Sequence, residues 1–328
     1  MIRIAMLSFW HVHADGYARE AERHPRTRIT ACWDEEPERG RAKAEKLGVA
    51  FHESLDEVLA RDDVDAVIVD APTNRHLEVI GAAARAGKHI FSEKVLALTT
   101  EECDRILTDV ERAGVVLMLS LPRLYHGYTR AIRSVLDEGR LGDVTLVRTR
   151  LSHGGALGDA WLPAHFFDPE QCGGGAMVDL GCHPMYLARL FLGGMPESLT
   201  ASYGYVTGRA VDDNAVVVLR YPHGAVGVVE AGFVNQHSPF SIEIHGTQGS
   251  LLYGTPDDAL LVRAPAYDEG RSWVRLDLPE PLPSAFEQWV DHIENGTKAT
   301  ENIELGLDLT RLMEAANRSA AVDAPVRL

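Results

Sequence analysis

In the first 120 residues, short apolar runs alternate with stretches rich in Ala, Glu, Arg and Lys. Residues 2–7 are an apolar run bounded by polar residues, as a buried parallel strand is. Residues 14–24 suit a helix that stops at Pro25, and residues 28–33 read as a second strand ending at Asp34. Residues 37–47 form a helical pattern with Gly48 as its stop. Further strands fall at 65–69, 89–91 and 115–119, with further helices at 55–60, 76–86 and 100–113. This alternation specifies a doubly wound parallel sheet.

Beyond about residue 122 the pattern changes. One more helix, 128–138, precedes β-rich segments at 144–151, 198–207, 214–221, 225–233 and 240–245. Helical patterns return at 284–293 and 303–321. The expected fold is therefore an α/β domain over residues 1–121 and an α+β domain with a large, mostly antiparallel sheet over residues 122–328. A chain of 328 residues is long enough for two cores.

A net charge of −16 argues against nucleic acid or anionic membrane as a partner, since either needs a concentrated basic face. Four cysteines without a CxxC pair read as reduced thiols. The apolar start is too short for a signal peptide, and no run approaches the length of a membrane span. A soluble cytoplasmic protein is expected.

Chemistry concentrates in Gly173-Gly174-Gly175-Ala176-Met177-Val178-Asp179-Leu180-Gly181-Cys182-His183-Pro184. If residues 179–183 are helical, Asp179 and His183 stack on one face. A carboxylate beside an imidazole holds one tautomer and raises its basicity, as proton abstraction requires.

Several landmarks stand in order along the chain. Val64-Asp65-Ala66-Val67-Ile68-Val69 is followed by Pro72-Thr73-Asn74-Arg75-His76, and Ala86-Gly87-Lys88-His89-Ile90-Phe91-Ser92-Glu93-Lys94 comes next. Arg123, Gly139-Arg140-Leu141-Gly142, the glycine stretch with Asp179 and His183, and Ile244-His245-Gly246-Thr247-Gln248-Gly249 complete the set. Together they resemble the Gfo/Idh/MocA family, the relatives of glucose–fructose oxidoreductase and inositol dehydrogenase. The resemblance implies an N-terminal Rossmann domain and a C-terminal domain that mediates a homodimer or homotetramer. It also implies hydride transfer between nicotinamide and a sugar, polyol or related hydroxy compound. Carried over, Lys94 would hydrogen-bond the reacting hydroxyl, His183 would take its proton, and Asp179 would orient the site. Pro72, Asn74, His76, Glu93 and Lys94 fall on cofactor-binding landmarks. Arg123, His153, Trp161 and His165 fall where relatives line the substrate pocket.

The chain departs from the family pattern at the dinucleotide loop. Where G-x-G-x-x-G/A is expected, it has Ser8-Phe9-Trp10-His11-Val12-His13-Ala14. The first glycine normally permits a tight turn and the second a close approach to the diphosphate. Ser8, Trp10, His11 and His13 are nonetheless the residues placed to meet the cofactor. Asp34, at the end of the second strand, suits a ribose 2′-hydroxyl and favours NAD over NADP. The motif "EKP" has become Glu93-Lys94-Val95. His11 and His13 invite comparison with metal ligands, but two histidines from one loop do not make a site. No metal is expected. Two rival readings use the same pocket: a non-redox ligand-binding or regulatory relative, and a lyase or hydrolase.

Overall fold

The computed structural model describes residues 1–255 and 257–328. The chain divides into two compact units, one of residues Met1–Leu121 with Pro283–Thr310, the other of Pro122–Leu282 with Arg311–Leu328.

The first unit is built on β1 (Ile2–Leu7), β2 (Thr27–Trp33), β3 (Ala50–His52), β4 (Ala66–Val69), β5 (His89–Ser92) and β6 (Leu117–Leu119). They form one six-stranded sheet in the order β3-β2-β1-β4-β5-β6, with every pairing parallel. That is the doubly wound order, in which ligands bind beyond the carboxyl ends of the strands. The connections are α1 (Ala14–Arg23), α2 (Pro37–Leu47), α3 (Leu55–Leu59), α4 (His76–Arg85) and α5 (Thr100–Ala113). Their ends follow local chemistry. Pro37 occupies the first turn of α2, and Gly48 closes it at φ 68°. Thr99 and Glu102 form a reciprocal capping box at the start of α5.

The second unit begins with α6 (Gly127–Asp137) and β7 (Val144–Ser152), followed by three helices, α7 (Pro169–Cys172), α8 (Ala176–Asp179) and α9 (Cys182–Phe191). Then come β8 (Ser198–Gly204), β9 (Asn214–Arg220), β10 (Val226–Gly232), β11 (Ser241–Gly246), β12 (Ser250–Tyr253), β13 (Leu260–Arg263) and β14 (Val274–Leu276). A last short strand, β15 (Val326–Arg327), completes a nine-stranded sheet ordered β14-β13-β12-β11-β7-β10-β9-β8-β15. All its pairings are antiparallel except β7 with β10. Along β9 buried positions alternate with less buried ones, as expected of a sheet with one face on a core.

Two more helices precede β15, α10 (Ala285–Asn295) and α11 (Thr300–Val322). A single cut near residue 121 assigns both to the second domain, whereas residues 283–310 belong to the first unit. The reason is packing. Phe286 and Trp289 of α10 meet Phe91 of β5 at ring separations of 5.8 and 5.7 Å, and Trp289 is fully buried. The Asn302 side chain accepts from Leu119 N at 2.8 Å and donates to Leu119 O at 2.9 Å, pairing the end of β6 as another strand would. No helix among the described residues is long and apolar enough to cross a membrane.

Candidate active site

The carboxyl ends of β1, β4 and β5 carry the densest group of ionisable side chains in the first unit. Glu93, two per cent exposed, lies one residue past β5. Its Oε1 is 3.3 Å from His13 Nδ1, 3.7 Å from Lys94 Nζ and 3.8 Å from His11 Nε2. Tyr17 donates its hydroxyl to Oε2 and also lies 2.6 Å from Ser120 Oγ. Burial alone would raise the Glu93 carboxyl. The imidazoles of His11 and His13, and then the Lys94 ammonium, outweigh it and hold the group far below the ordinary carboxylate range. Burial, reinforced by the Glu93 charge, pushes the Tyr17 hydroxyl well up, so it acts as a neutral donor.

Asp70 stands beside this group. It follows Val69, whose register partner is Ser92, so Asp70 and Glu93 are neighbours on adjacent strands. Its side chain is fully buried and neither carboxylate oxygen has a hydrogen-bond partner. Burial first, then repulsion from Glu93, raises its carboxyl well above the ordinary value. No local pattern distinguishes Asp70 in the sequence, where it reads only as a strand end.

The loop that leaves β1 is held from three sides. Ser8 has φ 76°, the left-handed conformation that a glycine would otherwise supply. Its Oγ accepts from Trp10 N at 3.1 Å, and His11 N donates to Asp70 O at 3.2 Å. Asp34 Oδ2 accepts from Phe9 N at 2.9 Å. The Trp10 indole is buried, five per cent exposed.

Asp34 is occupied as well as buried. Arg39 donates to both its oxygens, and Glu36 N adds a bond of 2.8 Å to Oδ1. The sequence offers Asp34 as the open ribose acceptor; in the structure this carboxylate is consumed by the loop and by Arg39. The adjacent Glu35 differs. Arg39 Nη2 holds its Oε1 at 2.6 Å, but its buried Oε2 has no hydrogen-bond partner. Burial and then the Asp34 charge raise the Glu35 carboxyl.

His76 is also committed to the main chain. Its Nδ1 lies 3.0 and 3.1 Å from the carbonyls of Val95 and Leu96, and its Nε2 lies 3.1 Å from Ala71 O. The ring thereby ties the segment after Lys94 to the end of β4. Pro72 is buried in the same turn, and its carbonyl accepts from Arg75 N. Asn74 is exposed and lines a surface cavity with residues of α4 and α5. The Lys94–Val95 peptide is cis.

In the second unit, residues 179–183 are not one continuous helix. Asp179 ends α8, His183 is the second residue of α9, and Leu180 and Gly181 form a turn between them. The glycines serve a turn that the sequence does not explain. Asp212 accepts from Gly175 N at 2.7 Å and from Met177 N at 2.8 Å through its carboxylate, while its carbonyl accepts from Ala176 N. Asp212 thus caps α8 from 37 residues away. A Cβ on Gly175 would meet Asp212 O at 2.0 Å.

His183 is eight per cent exposed, with Nδ1 3.4 Å from the Tyr186 hydroxyl; that oxygen also accepts from Arg123 N. His153 stacks on Phe233 at 5.2 Å and lies 4.8 Å from the ring of Trp161, which is 61% exposed. Burial lowers the His153 ring, and the charge of Asp179 opposes that shift, so His153 and Asp179 share one environment. Arg123 lies over the Phe240 ring at 3.9 Å and bonds the Tyr128 hydroxyl. His165 sits in the turn before α7, where its carbonyl accepts from Cys172 Sγ.

Comparison with known proteins fits this geometry. Residues 11–121 match an oxidoreductase family with an NAD-binding Rossmann fold, and residues 129–252 match the GFO/IDH/MocA C-terminal domain. A dTDP-3,4-didehydro-2,6-dideoxy-alpha-D-glucose 3-reductase of Streptomyces violaceoruber is 30% identical over 78% of this chain and 71% of its own length. The chain belongs to the Gfo/Idh/MocA family of oxidoreductases. An inositol 2-dehydrogenase of Rhizobium meliloti (strain 1021) is 28% identical over 94% of this chain and 93% of its own. A levoglucosan dehydrogenase in complex with NADH shares the fold at a TM-score of 0.82 and 21% identity, over 99% of this chain and 98% of that one. The homologues of this oxidoreductase are dehydrogenases and reductases of sugars and polyols, and its first unit is the family's NAD-binding domain.

One feature of the first unit suits a dinucleotide. The backbone at Ser8 keeps the turn that the missing glycine would make, so the chain still passes from β1 into the start of α1. Asp212 and Asp70 are the residues that sequence reasoning missed; each is defined by partners distant in sequence.

Proposed function

We propose that this enzyme oxidises or reduces a sugar, polyol or related hydroxy compound with NAD, using Lys94, His183 and Asp179. The observation that carries the reading is Lys94 itself, a buried lysine whose ammonium lies 3.7 Å from an ionised, buried glutamate. The bound nicotinamide accepts or supplies the hydride.

The residues divide the remaining work. Lys94 lies beside the ionised Glu93, and a fixed cation stabilises the alkoxide that develops as the hydroxyl loses its proton. His183 serves as base through Nε2 when its ring proton rests on Nδ1, and the Tyr186 oxygen is within reach of that proton. Asp179, half-buried at the end of α8, orients the site. His153 and Trp161 offer a ring and an edge to substrate hydroxyls. NAD is favoured over NADP because Asp34, Glu35 and Glu36 surround Arg39 and neutralise the cation a 2′-phosphate would need. The reading includes a cytoplasmic homodimer or homotetramer assembled through the second unit, which light scattering of the purified protein checks.

The deciding experiment is calorimetric titration with NADH and with NADPH, followed by turnover of sugars and polyols by wild type and Lys94→Ala. NADH binding, with turnover lowered by about 100-fold or more in the variant, supports the reading. A folded protein that carries no nucleotide and binds neither cofactor removes it.

A further inference from the structure

We infer that His11, His13 and Glu93 form a binding site for one divalent first-row transition-metal ion, with the unpartnered carboxylate of Asp70 beside it. The three donor groups come from the loop after β1 and the end of β5, and their ligand atoms all lie within 4.8 Å of one another.

Spacing is the first argument. His11 Nε2 and His13 Nδ1 lie 3.8 and 3.3 Å from Glu93 Oε1, beyond the usual range of a strong charge-assisted hydrogen bond. Metal–ligand bonds of about 2.0–2.2 Å at tetrahedral angles place neighbouring ligand atoms roughly 3.3–3.6 Å apart. The two separations to Glu93 Oε1 bracket that range.

Charge is the second, independent argument. Two carboxylates end adjacent strands, both nearly or wholly buried, and neither oxygen of Asp70 has a hydrogen-bond partner. A buried carboxylate without a hydrogen-bond partner is costly to ionise unless a cation stands beside it. Lys94 supplies one positive charge at 3.7 Å from Glu93; a dication bound there would let Asp70 ionise as well.

Donor chemistry selects the ion. Two imidazoles and a carboxylate suit Zn²⁺, Fe²⁺ or Co²⁺, whereas Mg²⁺ and Ca²⁺ prefer all-oxygen shells. Ligation has a local cost. His11 Nδ1 now accepts from His13 N at 3.2 Å, and binding through Nε2 requires the ring proton on Nδ1. A neutral hydrogen bond of this kind is minor against three metal–ligand bonds.

The test uses the full chain after dialysis against a chelator, titrated with Zn²⁺, Co²⁺ and Mg²⁺ by calorimetry, with visible absorption of the Co²⁺ form. One equivalent of Zn²⁺ and of Co²⁺ should bind, with d–d bands of nitrogen and oxygen ligation and no binding of Mg²⁺ at the same concentration. His13→Ala, which alters a half-exposed side chain, and His11→Ala should each weaken Zn²⁺ binding by about tenfold or more. His223→Ala, on the exposed turn after β9, should not. Absence of stoichiometric binding by the folded chain, or binding unaltered by both loop substitutions, overturns the site. Parallel NADH titration keeps the two conclusions separate, because zinc binding without NADH binding removes only the dehydrogenase reading.

Discussion

The turn that leaves β1 and the turn that enters α8 solve one steric problem in opposite ways. The first has lost its glycine, and Ser8 adopts φ 76° with its hydroxyl bonded to Trp10 N. The second keeps three glycines, and at Gly175 the backbone of Asp212 occupies the space where a Cβ would stand. A left-handed residue needs only conformational tolerance, which a serine has at modest cost. A backbone approach of 2.0 Å to a Cβ position tolerates no side chain.

The comparison predicts a graded series. Gly175→Ala should have the largest effect, a loss of about 3 kcal/mol or more, because the atom it meets is backbone that cannot swing aside. Urea unfolding checks this; a midpoint equal to wild type would break the contrast between the turns. Asp212→Ala, which strips two side-chain bonds from the start of α8, should cost about 2–3 kcal/mol in the same assay. At the first turn the effects shrink. Ser8→Gly should be more stable than Ser8→Ala by about 1 kcal/mol, since both lose the hydroxyl but only glycine relieves the left-handed strain. If the two variants unfold together, Ser8 is not strained.

The smallest effect belongs to a control remote in sequence from both turns. Glu230 on β10 accepts from Arg148 and Arg150 of β7 at 2.7 and 2.6 Å. Burial would raise its carboxyl, but these bonds lower it below 4.5. A lowered acid stabilises the fold above its ordinary value and loses that contribution as pH falls through the folded value. Glu230→Gln should therefore cost about 0.5–1 kcal/mol near pH 7, allowing for solvent screening. That deficit should close in acid.

Much of the architecture was legible because its signals are local. Pro37 and Gly48 bound α2 where expected, and residues 100–113 form α5 without revision. Short strands were not legible: β3 has three residues and β15 has two, and each exists only through the partner it pairs with. The return of residues 283–310 to the first unit was equally hidden, since Asn302 bonds Leu119 across 183 positions.

The site divides along the same line. Sequence by itself determined the family, the doubly wound parallel character of the first sheet, the identity of Lys94, Asp179 and His183 as the residues to watch, and the missing glycines. These rest on residue type and spacing along the chain. Tertiary structure decided which acids are occupied and which are open. Asp34 is closed by Arg39, and the Asp70 carboxylate has no hydrogen-bond partner. Glu93 and Asp70 meet at the ends of adjacent strands, one held ionised by cations, the other driven toward its neutral form by burial. A carboxylate's state depends on the solvent it has lost and the donors that replace it, and both come from residues distant in sequence.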